Sequence, residues 1–516
     1  MNGLRLLRRL RAYGEGKPLP YGRTKHLEVP PSPQVLLLAF LRMGGETAPW
    51  GIGWKRPGQK AKFITVPEPR DRELVAQALA GEIAEELAEH LLHPYTHSEN
   101  YDEKELPPLR QVWVPGPTHL EMLHLLAMAY AFAKKGPEDR VQQLQSLGKT
   151  ANFLFLQAQR PGQQMVVDAT RLLREAYEFP ADDLRQAHLG FLLAWLQTKG
   201  KAVDRIDAAA RAEARAVSTA LDPAIDRDEL EPLVDAYNQA TASRGLDGRF
   251  ERRPEDGTAK SARKKIAAIL ERELNDRLEL AEAARKVYLD DTRRRNPGLD
   301  ALTRATRQQH WYGYLRLLAA ERDGQKAYHP SAITERDPKS AAVRYLESEA
   351  DEALRIEALS DADPDLVDAI LAGGEGLVGS ITAVIDDGDE GSRKKVPVWS
   401  VRSQGLPPLR LKQGDEISLQ GFPKRKATIR AIHADDDGRT FELEITGAKN
   451  APKEQPSLLA ATDPKLRGRK VCFLSLPTPY FSQKRTNQVR FGEGPGNWLL
   501  KDLGKPAPEP ATEDEP

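Results

Sequence analysis

"GDEISLQGFPKRKATIRAI", residues 414–432, sets two alternating apolar-polar runs on either side of a glycine, and its reading decides the fold of the carboxyl-terminal third of the chain. Alternation with period two is the mark of half-buried strands. The same pattern extends outward through "GLVGSITAVID", "KVPVWSVRS", "KATIRAIHA" and "RTFELEIT", and "DDDGRT" supplies an Asp-Gly hairpin turn. Several short strands with frequent turns predict a small β-barrel over residues 373–503. The last stretch, 504–516, "GKPAPEPATEDEP", is Pro-rich and acidic and reads as disordered.

Towards the amino terminus the period becomes helical. In "SARKKIAAILERELNDRLELAEAARKVYLDD" the residues Ile266, Leu270, Leu274, Leu278 and Ala281 recur at three- and four-residue spacing, one narrow apolar stripe on a charged rod. Residues 246–372 are therefore expected to form long, paired, stalk-like helices, and residues 136–245 a helical bundle. Residues 1–135 read as a mixed α/β domain. Within it "VLLLAFLRMGG" suits a buried helix ended by glycines, "WGIGWKRPGQKAKFITVPEP" a hairpin, Asp71 to His93 a long acidic helix, and "RQVWVPG" a strand. The fold class this predicts is α+β and multidomain.

Composition narrows the class of partner. The chain has 516 residues, 40% apolar and 29% charged, as a globular protein does. Its 76 Lys and Arg balance 76 Asp and Glu, so attraction to a polyanion must come from local charge. The single cysteine, Cys472, excludes an internal disulfide and a cysteine zinc site, which points to the cytoplasm. No run approaches 18 apolar residues, so no membrane span is expected. The Arg-rich "MNGLRLLRRLRAYGEGK" reads as a short amphipathic helix, docked or facing nucleic acid.

Catalytic patterns are thin. "SLGKT" at 146–150 ends like a phosphate loop, but Gln143 stands where the opening glycine should be, so no nucleotide and no other cofactor is expected. His90, His93, His97, His119, Glu121 and His124 are enough donors for a metal, yet His119 and His124 are five apart and fall on different faces of a helix. Hydrogen-bonded structural histidines are the simpler reading. Glu442, Glu444 and Lys449 make a loose version of a carboxylate nuclease site, and an exposed strand face explains them as well.

Basic residues beside aromatics give the strongest signal. Arg393, Lys394 and Lys395, then Lys424, Arg425 and Lys426, fall where turns between strands should lie, with Trp399 and Phe422 nearby as stacking faces. From 392 to 430 ten cations face only Asp415 and Glu416. A second group follows in "KLRGRK" and in "YFSQKRTNQVRFGEGPGNW", where Arg485 and Arg490 interleave with aromatics. Cations that track phosphates beside rings that stack on bases suit a single nucleic-acid strand.

Long charged helices followed by "GLVGSITAVID", "PVWSVRS", "LRLKQGDEISLQG" and "RTFELEIT" resemble the stalk and accessory β-barrel of superfamily 1 helicases of the nonsense-mediated-decay type, over residues 260–500. In that family the barrel lies beside the nucleic-acid channel. The motor domains and their phosphate loop have no counterpart here. The resemblance thus implies a non-catalytic accessory that binds a phosphate backbone, DNA or RNA, with a separately encoded helicase or another protein as partner, in DNA repair or phage defence. The alternatives are a protein-interaction scaffold and a metal-dependent nuclease or hydrolase.

Overall fold

A computed structural model describes residues 3–44, 48–92, 106, 108–244, 250–322, 338–360, 363–387, 396–405, 408–447, 449 and 459–476. The chain begins with α1 (Gly3–Glu15), β1 (Leu19–Pro20), β2 (Thr24–Lys25), β3 (Val35–Arg42), β4 (Pro49–Lys55) and β5 (Lys62–Thr65). There follow α2 (Arg72–Leu79), α3 (Glu82–Leu92), β6 (Gln111–Val114), α4 (Pro117–Tyr130), α5 (Glu138–Ala158), β7 (Val166–Asp168), α6 (Ala169–Ala176) and β8 (Tyr177–Glu178). Next are α7 (Leu189–Gln197), α8 (Ala202–Glu213), α9 (Glu231–Thr241), β9 (Ala242–Arg244), β10 (Phe250–Arg252), α10 (Gly257–Asp290), β11 (Arg294–Arg295) and α11 (Leu299–Arg322). The chain continues with α12 (Pro338–Ser360), α13 (Pro364–Ala372), β12 (Gly376–Asp387), β13 (Val396–Gln404), β14 (Glu416–Leu419), β15 (Phe422–Asp435), β16 (Gly438–Ile445) and β17 (Lys470–Leu474). Two units result: Met1–Tyr21 with Leu27–Thr292 and Thr303–Thr334, and Gly22–His26 with Arg293–Leu302 and Glu335–Pro516. The protein is α+β and multidomain.

The first unit is built on a five-stranded sheet of order β5-β4-β3-β6-β7, antiparallel across β5, β4 and β3 and parallel across β3, β6 and β7. Its central strand β3 is the run "VLLLAFLR", expected from the sequence as a helix. That expectation fails because a strand covered on both faces loses its alternation and reads as one apolar block. Leu36, Leu38 and Phe40 pack with α2 to α5 on one face, while Val35, Leu37, Ala39 and Leu41 pack with α6, α7 and α10 on the other. The hairpin β4–β5 and the strand β6 form where the sequence places them. The acidic helix of 71–93 divides into α2 and α3 at Ala80 and Gly81.

The expected stalk over 246–372 is not what α10 forms. Its stripe of Ile266, Leu270, Leu274, Leu278 and Ala281 is buried in the first unit. The fit depends on β4, "PWGIGWK": a side chain at Gly53 would place its Cβ 3.1 Å from Leu274 Cβ and 3.2 Å from a Leu278 methyl. Glycine at that position lets the helix lie against the strand. Lys55 then reaches Glu279 at 2.5 Å and Glu282 at 2.6 Å, which satisfies a lysine that is almost wholly buried. Of the helices of 136–245, α5, α6 and α7 pack with this sheet, and all of them belong to the first unit instead of a separate bundle. "SLGKT" lies inside α5, and Gly148 is required there because a Cβ would come within 2.2 Å of the Ala131 nitrogen just past α4.

The second unit carries a closed barrel of order β12-β13-β16-β15-β14-β17, with every neighbouring pair antiparallel. Alternate residues fill it: Trp399 and Val401, Ile417 and Leu419, Ala427 and Ile429, Phe441, Leu443 and Ile445. The Asp-Gly sequence turns β15 into β16. β17 contains Cys472 and closes the barrel between β12 and β14. Burial pushes the Cys472 thiol up to about 11, so it stays protonated at neutral pH.

Candidate nucleic-acid interface

Strand direction decides which turns share an end of the barrel. β12, β14 and β16 run one way, and β13, β15 and β17 run the other. One end therefore gathers the exit of β12 at Asp387, the entry of β13 at Val396, the β14–β15 turn at Gln420 and Gly421, and the approach to β17 through 459–469. Arg393, Lys394 and Lys395, like Arg485 and Arg490, lie outside the described residues.

Two residues expected to touch ligand are instead buried at this end. Trp399 is 0% exposed, donates from Nε1 to the Ala461 carbonyl at 2.7 Å, and meets the Phe473 ring edge-on at 6.1 Å. Its ring has no free face to offer a base. Arg425 is also 0% exposed, lies 5.9 Å from the Trp399 ring, and donates to the Leu459 carbonyl at 3.0 Å. Burial lowers its pKa. Together they hold the 459–461 segment, a structural duty that takes them off any interface. Phe422 is half-buried against the barrel core, and Lys424 is exposed.

Several neighbouring cations are matched by acids, three of them from outside residues 392–430. Lys426 pairs with Glu416 at 2.6 Å, Arg430 with Glu444 at 2.8 Å, and Arg410 with Glu375 at 3.5 Å. Arg402 makes a two-pronged pair with Asp435. The acid-poor window of 392–430 is therefore less basic in space than in sequence. Glu444, one of the loose nuclease acids, is spent on Arg430, and Glu442 lies 3.7 Å from His433.

The "KLRGRK" segment behaves differently. Leu466 is buried and anchors it, and Asp463 caps its short 3-10 turn by accepting from Lys465 N at 2.8 Å. Gly468, at φ 82°, takes the left-handed turn and donates to the Ile381 carbonyl at 2.7 Å, while Ile381 donates back to the Arg469 carbonyl at 3.0 Å. These bonds dock the segment on β12 and leave Lys465, Arg467, Arg469 and Lys470 exposed. Arg467 spends one N–H on the Thr382 carbonyl at 2.6 Å. Among the described residues none of the four has a carboxylate partner. The spacing K-x-R-x-R-K marked this group in the sequence, but only the β12 bonds show it to be a fixed surface.

Among the described residues, His90, His119 and His124 of the first unit do structural work. His119 Nδ1 accepts from the Phe40 backbone N–H at 3.0 Å, so its proton sits on Nε2, which donates to the Val217 carbonyl at 3.1 Å. His90 contacts the Gln111 carbonyl at 3.0 Å and Arg56 at 3.2 Å, and His124 packs on Phe155 with ring centroids 4.5 Å apart. His93 and His97 lie outside the described residues. No group of three metal-holding side chains occurs among the described residues.

Burial lowers His90, His119 and His310 to about 3 each. The sign follows directly: unfolded histidines take up protons near pH 6.5 and these native ones do not, so stability is full above that pH and falls as pH drops towards 3. Asp168, raised by burial to about 6, and Asp226, also raised by burial, act in the opposite sense, while His124, lowered by burial, joins the three histidines. The melting temperature, followed by circular dichroism, should therefore fall from pH 7 to pH 5; an unchanged or rising value would refute the neutral, buried assignment.

No known family model, curated protein or solved structure matches the chain.

Proposed function

We propose that the protein binds the phosphate backbone of a nucleic acid at the strand-end rim of its carboxyl-terminal barrel, without catalysing a reaction there. The observation that carries this reading is the row Lys465, Arg467, Arg469 and Lys470, exposed, unpaired among the described residues, and fixed to β12 by backbone bonds. Lys424, on the strand leaving the β14–β15 turn at the same barrel end, extends it to five cations. Positive side chains held in place without acids beside them attract phosphates and release counterions on binding. Among the described residues Phe422 is the one aromatic of the expected set that is partly accessible, which makes it the stacking candidate for a single strand. The reading includes service to a separately encoded helicase but does not depend on it.

The test is a salt titration of binding to a labelled oligonucleotide, by fluorescence anisotropy. Five neutralised phosphates give a slope of log K against log salt of roughly −4.5 on duplex DNA and about −3.5 on a single strand. Binding that ignores salt would sink the proposal.

A further inference from the structure

The opening turns of α10, residues 257–270, carry Lys260, Arg263, Lys264 and Lys265 and no acid, while the rest of the helix carries more acids than cations. That is the reverse of what a helix favours. Aligned peptide dipoles leave partial positive charge at the amino end, where acids stabilise and lysines do not. Further along α10 the charges serve packing, as with Arg277 on Glu273 and Glu282 on Lys55. The cations of the opening turns have no such duty. Lys260, Lys264 and Lys265 are exposed, as is Arg253 just before the helix, and among the described residues none of the four has an acid within 4.0 Å.

The acids nearest in the chain are already engaged. Glu255 accepts from the Tyr237 hydroxyl at 2.9 Å and from Arg263 at 3.3 Å, and Asp256 caps α10 by accepting from Ala259 N at 2.8 Å. The backbone under the cations is fixed: Ala259, Ala262 and Ile266 bury the other face of these turns, and Arg253 N donates to the Thr241 carbonyl at 2.8 Å. Lys260 and Lys264 stand one turn apart, with about 5–6 Å between their Cβ atoms. Gly257, Thr258 and Ser261, small and exposed, leave the approach to them open. A helix start that gives up dipole stabilisation in this way is the kind of local conflict that binding sites carry.

Chemistry selects the partner. Among the described residues no large apolar side chain is exposed between 207 and 288, so this face offers neither the anchor on which a protein interface centres nor the wedge that enters a lipid surface. A phosphate backbone needs only fixed cations without acids beside them. We infer that Arg253 and the opening turns of α10 form a second contact for a nucleic-acid backbone, on the first unit. It shares its ligand class with the barrel reading, uses different residues, and can fail without it.

The test is Lys260→Glu, Lys264→Glu and Lys265→Glu made together, both in the wild type and in the Arg467→Glu, Arg469→Glu, Lys470→Glu protein, each titrated with salt on one labelled duplex. In both backgrounds the slope of log K against log salt should become shallower by about 2.7, and affinity at moderate salt should fall at least about tenfold. The melting temperature should hold or rise, because the changes put acids at the helix start. An unmoved slope and affinity would overturn the inference. So would a lower melting temperature, which would make the lysines part of the fold, and so would capture of polyglutamate that the changes abolish while duplex binding stays, which would assign the face to an acidic protein. The barrel reading is judged separately, by the Arg467, Arg469 and Lys470 changes in a protein whose α10 lysines are intact.

Discussion

Arg277→Ala should destabilise the first unit by about 3–5 kcal/mol, on the order of 10 °C in melting temperature. Arg277 is fully buried on α10, where burial depresses its pKa. Its guanidinium donates from Nε to the Ser218 carbonyl at 2.7 Å, from Nη2 to Ala220 at 2.9 Å, and from Nη1 to the Glu273 carbonyl and carboxylate at 2.8 and 3.1 Å. The 218–220 segment is itself bonded to β3, through Arg42 N to the Thr219 carbonyl at 2.8 Å. Truncation would remove this donor from the Ser218 and Ala220 carbonyls and leave the nearly buried Glu273 carboxylate to Arg272, 3.3 Å away. Lysine keeps the charge but cannot reproduce the fork, so Arg277→Lys should recover only part of the loss. Thermal unfolding checks both. A melting temperature unmoved in the alanine variant would show that the segment is held by other means.

Reversal of Arg467, Arg469 and Lys470 to Glu should weaken nucleic-acid binding about a hundredfold or more at moderate salt while leaving stability within about 0.5 kcal/mol, because the three side chains are exposed. Lys426→Ala and Arg430→Ala provide the contrast. Both cations sit on the same barrel but are engaged by Glu416 and Glu444, so their loss should change affinity by about twofold at most. Competition with a labelled oligonucleotide separates the two classes. Equal losses in both would mean that the barrel attracts anions through its overall charge and not through the fixed row.

What the sequence discloses follows from which interactions are local. The barrel strands are legible because each is covered on one face only and alternates, and the Asp-Gly turn marks where β15 gives way to β16. β3 is illegible for the opposite reason, with Leu36 to Leu41 buried on both sides. The stripe of α10 shows a helix with one buried face but not what buries it, and the answer lies some 220 residues earlier, at Gly51 and Gly53. Charge fails in the same manner. The acids that neutralise Arg402 and Arg430 come from other strands of the barrel, 33 and 14 residues away, beyond the reach of a sliding window. Trp399 and Arg425 look like a stacking face and a phosphate hook until Ala461 and Leu459 close over them. "KLRGRK" keeps its cations exposed because a buried leucine and a left-handed glycine lie within its six residues, while the bonds that fix it reach Ile381, far off in the sequence.

The most direct test of the barrel-rim account is the salt dependence of nucleic-acid binding in the wild type and in the Arg467→Glu, Arg469→Glu, Lys470→Glu variant, measured side by side on one duplex. The account expects the slope of log K against log salt to become shallower by about 2.7, three phosphate contacts' worth of released counterions. A variant whose slope equals that of the wild type would contradict it, since the phosphates would then be met elsewhere on the chain.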